Sequence, residues 1–150
     1  MELITDRTKA DVLLGTEKGT YGASDLNRVE SAVAELAERL TRAGMEYTPT
    51  VITNWQVGEI PSQTQMTRYL GNVFRLCQLA GMAPQLPVSM DNLTWDGANQ
   101  IELALLAVYE KITQEETAIL LISADGLVLR DSVGMYLDSK DNKQCFVVIG

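Results

Sequence analysis

Two stretches far apart in the chain follow one plan, and that plan restricts the fold more than any other feature. Ser24–Leu40 places apolar residues at Leu26, Val29, Val33, Leu36 and Leu40, a spacing of three and four that lines up one stripe of an α-helix. Setting Asn27-Arg28-Val29-Glu30 over Asn99-Gln100-Ile101-Glu102 aligns Ala32 with Ala104, Val33 with Leu105, Leu36 with Val108 and Leu40 with Ile112. Helices that share such a stripe must bury it against each other or against a further element. Glu30, Glu35, Glu38, Arg39 and Arg42 fall mostly off the stripe, on the face expected to be solvated. Asn is an indifferent residue inside a helix, yet Asn27 and Asn99 occupy the same place in both patterns. We expect these amides to bond neighbouring backbone or each other across a helix contact, fixing its register; the alternative is two exposed amides.

The remaining segments supply a third helix and its connections. Met1–Gly22 reads as an extended leader with one short helix, capped by Thr5 or Asp6, before Gly15, Gly19 and Gly22 break the period. Ser24 is the expected N-cap of the first long helix and Gly44 its left-handed stop. From Met45 to Ile60 the helical period disappears and β-branched and aromatic residues enter, so an extended connector should lay Tyr47, Val51 and Trp55 over the helices. Ser62 and Gln65 have capping-box spacing, and Met66, Tyr69, Leu70, Val73, Phe74 and Cys77 continue at helical intervals as core residues up to Gly81. Pro84 and Pro87 make the next linker stiff. Thr94 then caps the third long helix, in which Ala98, Ile101, Leu105, Val108 and Ile112 form the stripe and Leu103 and Leu106 widen it.

After Glu116 the pattern changes. The apolar run Ala118–Ile122, the pair Asp125-Gly126 and the run Leu127–Leu129 suggest a hairpin, with further strands around Met135–Leu137 and Cys145–Ile149. The reading is therefore a mainly α chain with a small β part: a leader over residues 1–22, a three-helix bundle core over 23–114 and a C-terminal β-meander over 115–150.

Charge and residue types limit the chemistry. With a net charge of −8 and 12 scattered basic residues, nucleic acid is not an expected partner, and no apolar run reaches the ~18 residues that suggest a membrane span. The absence of histidine removes the commonest general base and metal ligand. Asp125, Asp131, Asp138 and Asp141 do not follow calcium-loop spacing, Gly15, Gly19 and Gly22 do not make a phosphate loop, and no nucleophile elbow is present. We expect no catalytic residues, no cofactor and no metal site, and read Cys77 and Cys145 as small buried hydrophobes of a reduced chain.

The series DRTKADV, KGTYGASDLNRVESAVAELAERL, IPSQTQMTRYLGNV and LPVSMDNLTWDGANQIELALL resembles a helical module of tail-associated and fibre-like structural proteins of tailed phages and prophages of Gram-positive bacteria. The likeness covers about Thr5 to Ile112, with a shorter insertion after the opening Asp-Arg-Thr, and leaves the segment from Thr117 outside it. It implies a virion structural protein, assembled in the host cytoplasm, that acts through contacts with its own copies and with other virion proteins. The expected contact residues are Leu13, Tyr21, Trp55 and the final apolar run Cys145, Phe146, Val147, Val148 and Ile149. The competing expectation is a monomeric module that recognises a peptide or surface glycan through Tyr47, Trp55 and Trp95.

Overall fold

The computed structural model describes the backbone of residues 1–122, 129–130 and 136–137 and the side chains of residues 1–116. The chain divides into two compact units, Met1–Ile112 and Thr113–Gly150. In the first, a short helix α1 (Lys9–Leu14) and a 3-10 turn (Glu17–Gly19) precede helix α2 (Ala23–Arg42) and helix α3 (Gln63–Leu79). Helix α4 starts at Trp95 and continues to Ile122. In the second unit, strands β1 (Leu129–Arg130) and β2 (Tyr136–Leu137) pair antiparallel, Leu129 opposite Leu137 and Arg130 opposite Tyr136. The expected strand Cys145–Ile149 and the Asp125-Gly126 turn lie outside the described residues.

The chain is mainly helical, and the helix boundaries follow local chemistry. Thr8 caps α1 with a reciprocal bond to Asp11, two or three residues later than the caps expected at Thr5 or Asp6. Helix α2 begins before Ser24: the Asp25 carboxylate accepts from the Gly22 N–H at 2.9 Å and closes the first turn from within. Ser62 and Gln65 form the expected box on α3, and Thr94 accepts from Gly97 at the start of α4. Gly44 and Gly81, at φ of +89° and +69°, end α2 and α3. They let Met45 and Met82 bond back to Leu40 and Cys77, a closure an L side chain would strain. One expectation is corrected here: Ala118–Ile122 extends α4 and is not a strand, since an apolar run of that length fits either state and the helix already under way continues through it.

The core of the first unit joins the aligned stripes. Val29, Val33, Leu36 and Leu40 of α2, Val73, Leu76 and Cys77 of α3, and Ile101, Leu105, Val108 and Ile112 of α4 are buried together, each large side chain contributing about 1.5–3 kcal/mol of apolar transfer. Phe74, expected in this core, is 45% exposed. The three long helices run parallel. Arg28 meets Glu102 near the start of α2 and α4, Arg39 lies over the Tyr109 ring further along both, and Leu26, Met66 and Leu93, at the beginnings of α2, α3 and α4, line one recess. Parallel helices in one chain require connections that return the full length of a helix, about 25–30 Å here. Residues 43–62 and 80–94 provide them, and extended chain at about 3.3 Å per residue has ample reach.

Candidate functional site

The principal polar feature of the first unit is a pair of buried clamps, one on each of the matched helices. On α2, Asn27 holds the backbone of Trp55 from both sides: its amide donates to the Trp55 carbonyl at 3.0 Å and its oxygen accepts the Trp55 N–H at 2.8 Å. One turn later Glu30 accepts from the Ile52 N–H at 2.8 Å and from the Trp55 indole N–H at 3.2 Å. Arg68 of α3 closes this clamp with two bonds to Glu30, at 2.6 and 2.7 Å.

On α4 the same geometry recurs with a different segment. Asn99 donates to the Arg7 carbonyl at 2.9 Å and accepts the Arg7 N–H at 3.0 Å. Glu102 accepts from the Ile4 N–H at 2.6 Å and from the Arg7 guanidinium at 2.7 Å. Arg28 of α2 completes it, reaching Glu102 at 2.8 and 3.0 Å. Asp25 bonds Arg7 at 2.8 Å and also pairs with Arg28.

The two straps are thereby equivalent. Leu3, Ile4 and Arg7 correspond to Val51, Ile52 and Trp55, with Ile4-Thr5 repeated as Ile52-Thr53. Arg7 and Trp55 are both buried, while Asp6 and Asn54 both face outward. Each strap runs antiparallel to its helix, because its earlier residue meets the later helix residue. An Asn-x-x-Glu turn suits this task. Its side chains lie one turn, about 5 Å, apart on one helix face, and an amide can pair both polar groups of a backbone residue.

Electrostatics tie the clamps to the bundle. Glu30 and Glu102 are 1% and 0% exposed, so each depends on its paired cations to offset desolvation. Burial disfavours the Arg28 charge, but Glu102 and Asp25 outweigh it and raise the guanidinium above its ordinary pKa. The bonds to Glu30 hold Arg68 raised as well. Beside the α4 clamp the Arg7 guanidinium lies 5.4 Å from the centre of the Tyr21 ring, and the Tyr21 hydroxyl shares a 2.6 Å hydrogen bond with that of Tyr69. Burial pushes both phenols well above their usual range.

The expected site residues are dispersed. Asn27 and Asn99 sit at the centres of the clamps, bonded to passing straps and not to each other. Leu13 is 76% exposed and borders a shallow groove with Val12, Tyr21 and Trp95. Trp55, named among the contact residues, is turned inward and bonded to Glu30, as the extended-connector reading of 45–60 requires; it is not available as a surface anchor. Glu30, placed on the solvated face, is the second correction: it borders the stripe and is drawn inward by Arg68 and the connector. Sequence reasoning missed Arg7 altogether. The signal that exposes it is the second internal match, Ile4-Thr5-Asp6-Arg7 against Ile52-Thr53-Asn54-Trp55. Cys145–Ile149 lie outside the described residues, as do Asp125, Asp131, Asp138 and Asp141.

Chemically, the lone pairs of both buried glutamates are committed to main-chain amides, guanidinium groups and, at Glu30, an indole. These are bonds that fasten segments of chain together. Among the described residues, no three His, Cys, Asp or Glu side chains are grouped to hold a metal ion, and no helix is long and apolar enough to cross a membrane. Cys77 is buried, and burial pushes its thiol up to about 11. No protein-family model, curated protein or solved structure matches this chain.

Proposed function

We propose that this chain is a virion structural protein of a tailed phage, a tail- or fibre-associated assembly or adaptor component that works through contacts between subunits and not by turnover. The observation that carries the reading is the use of the buried and half-buried charge. Arg7, Asp25, Arg28, Glu30, Arg68 and Glu102 all lock extended segments onto parallel helices, which makes a stiff unit with its apolar surplus on the outside. That surplus includes Leu13 and Leu14 of the leader, Val57, Ile60 and Val88, each more than 75% exposed. The resemblance of the motif series from Thr5 to Ile112 supports the same reading. The leader around Leu13 and Tyr21 and the apolar sequence Cys145–Ile149 are the assigned contacts with neighbouring copies and other virion proteins.

The test is the mass of the purified chain together with the position of a labelled copy in the intact particle. A defined oligomer and a label at the tail or fibre base are expected. A monomer that shifts only on exposure to host wall material would replace this reading with that of a peptide- or glycan-binding module, for which the groove beside Trp95 is the place to look. Deleting Cys145–Gly150 should lower the assembly state; an unchanged mass would remove that segment from the contacts.

A further inference from the structure

The two clamps hold their straps without regard to how strap and helix are joined in sequence. On α4 the strap residue precedes its asparagine by 92 positions, whereas on α2 it follows by 28. What the sites share is the occupant: an extended segment with Ile-Thr, an outward polar residue and an inward side chain that donates to a buried glutamate. The clamp therefore reads a type of segment, and a segment of the same sequence from another molecule meets every requirement.

Charge sorts the two occupants. The α4 clamp holds Asp25 and Glu102 against Arg28 alone and balances only when Arg7 enters. The α2 clamp balances Glu30 against Arg68 and takes the neutral indole of Trp55. A tryptophan segment in the α4 clamp would leave a buried carboxylate short of a cation, and an arginine segment in the α2 clamp would add a second guanidinium charge with no second carboxylate to balance it. The correct substitute for the leader in the α4 clamp is thus another copy's leader, not this chain's own connector.

The leader's helix also packs as a block of its own. Helix α1 and the following 3-10 turn contain no buried residue. They pack on each other closely enough that any side chain at Gly19 would collide with the Asp11 backbone. The block exposes Val12, Leu13 and Leu14 at 48%, 76% and 78%, and Thr20–Gly22, pinned by the Tyr21–Tyr69 bond, joins it to α2. Moving the strap to a second copy preserves every clamp bond, so concentration sets the balance between closed and exchanged forms.

We propose that the α4 clamp is a recognition site for the Met1–Arg7 segment of a second copy of this chain, and that copies join by exchanging leaders. The proposal rests on the assembly reading and specifies its mechanism. Wild-type chains carrying two different isotope labels are unfolded, mixed in equal amounts, refolded at high concentration and sized, and isotope-filtered NMR then reads contacts between Arg7 and Asn99. Contacts crossing between copies in an oligomer are the expected result. An oligomer whose Arg7–Asn99 contacts stay within each copy overturns the exchange and leaves the assembly reading intact; a monomer at every concentration overturns both. A second measurement mixes full-length Arg7→Ala, with its clamp unfilled, and full-length Asn99→Ala/Glu102→Gln, with its strap unheld. Where circular dichroism shows both folded, exchange gives a one-to-one pair of doubled mass that disappears when Arg7→Ala is added to the second chain; masses that never pair refute it.

Discussion

Replacing Glu102 by Gln tests whether the α4 clamp stabilises the fold as its geometry demands. The carboxylate accepts from the Ile4 N–H, the Arg7 guanidinium and two nitrogens of Arg28 at 2.6–3.0 Å. A glutamine of the same shape turns an NH₂ toward a guanidinium or an amide, so a donor faces a donor. Removing one partner of a buried ion pair costs about 3–5 kcal/mol. Arg28, with 20% of its side chain exposed, can turn toward water and recover part of this, whereas Arg7 at 2% cannot. The lower half of the range, about 3–4 kcal/mol, is therefore expected. At about 4 °C per kcal/mol for a unit of this size, Tm should fall by about 12–16 °C. The assay is far-UV circular dichroism with a parallel guanidinium titration. The surface change Glu35→Gln is the control and should stay within about 0.5 kcal/mol. A Glu102→Gln melt within about 4 °C of wild type would refute the claim that this carboxylate fastens the leader.

The other predictions concern the second clamp, the titrating core and one turn. Asn27→Leu strips both bonds from the Trp55 backbone and should cost about 2–3 kcal/mol, with a red-shifted tryptophan emission; unchanged melting and unchanged assembly would remove the role given to Asn27. Cys77, Tyr21 and Tyr69 hold their protons more tightly folded than unfolded. Their contribution is fully present below the ordinary thiol and phenol values and is lost as pH rises through the raised ones. Guanidinium midpoints should thus hold to about pH 8.5 and decline above it. Cys77→Ala should flatten the part of the decline between 9.0 and about 11, and an undiminished slope would contradict this. Gly81→Ala forces a side chain into φ +69° in open space and should cost about 1 kcal/mol by denaturant midpoint.

The helices were legible because their information is local. The stripe of α2, the box at Ser62 and the cap at Thr94 are each written within a few residues. The clamps were only half legible. The repeated Asn-x-x-Glu singles out Asn27 and Asn99, but what an amide bonds depends on which strand passes it, and that strand lies 28 or 92 positions away. Glu30 reads as a solvated charge because a helical wheel shows neither Arg68 nor the connector that covers it. Arg7 sits in a leader too short and too polar to display a period, and only the likeness of its four residues to those ending at Trp55 marks it as buried.

The parallel arrangement of α2, α3 and α4 also bears on how the chain acquires its structure. Helical bundles ordinarily fold quickly because consecutive helices meet as antiparallel neighbours across short turns. Here no long helix can dock on the next until the intervening chain has doubled back along it, and the α4 clamp closes a loop of more than ninety residues. Loop-closure entropy therefore precedes the reward of the contacts, and the molecule should pair helical content with the slower folding usual for β-sheet proteins.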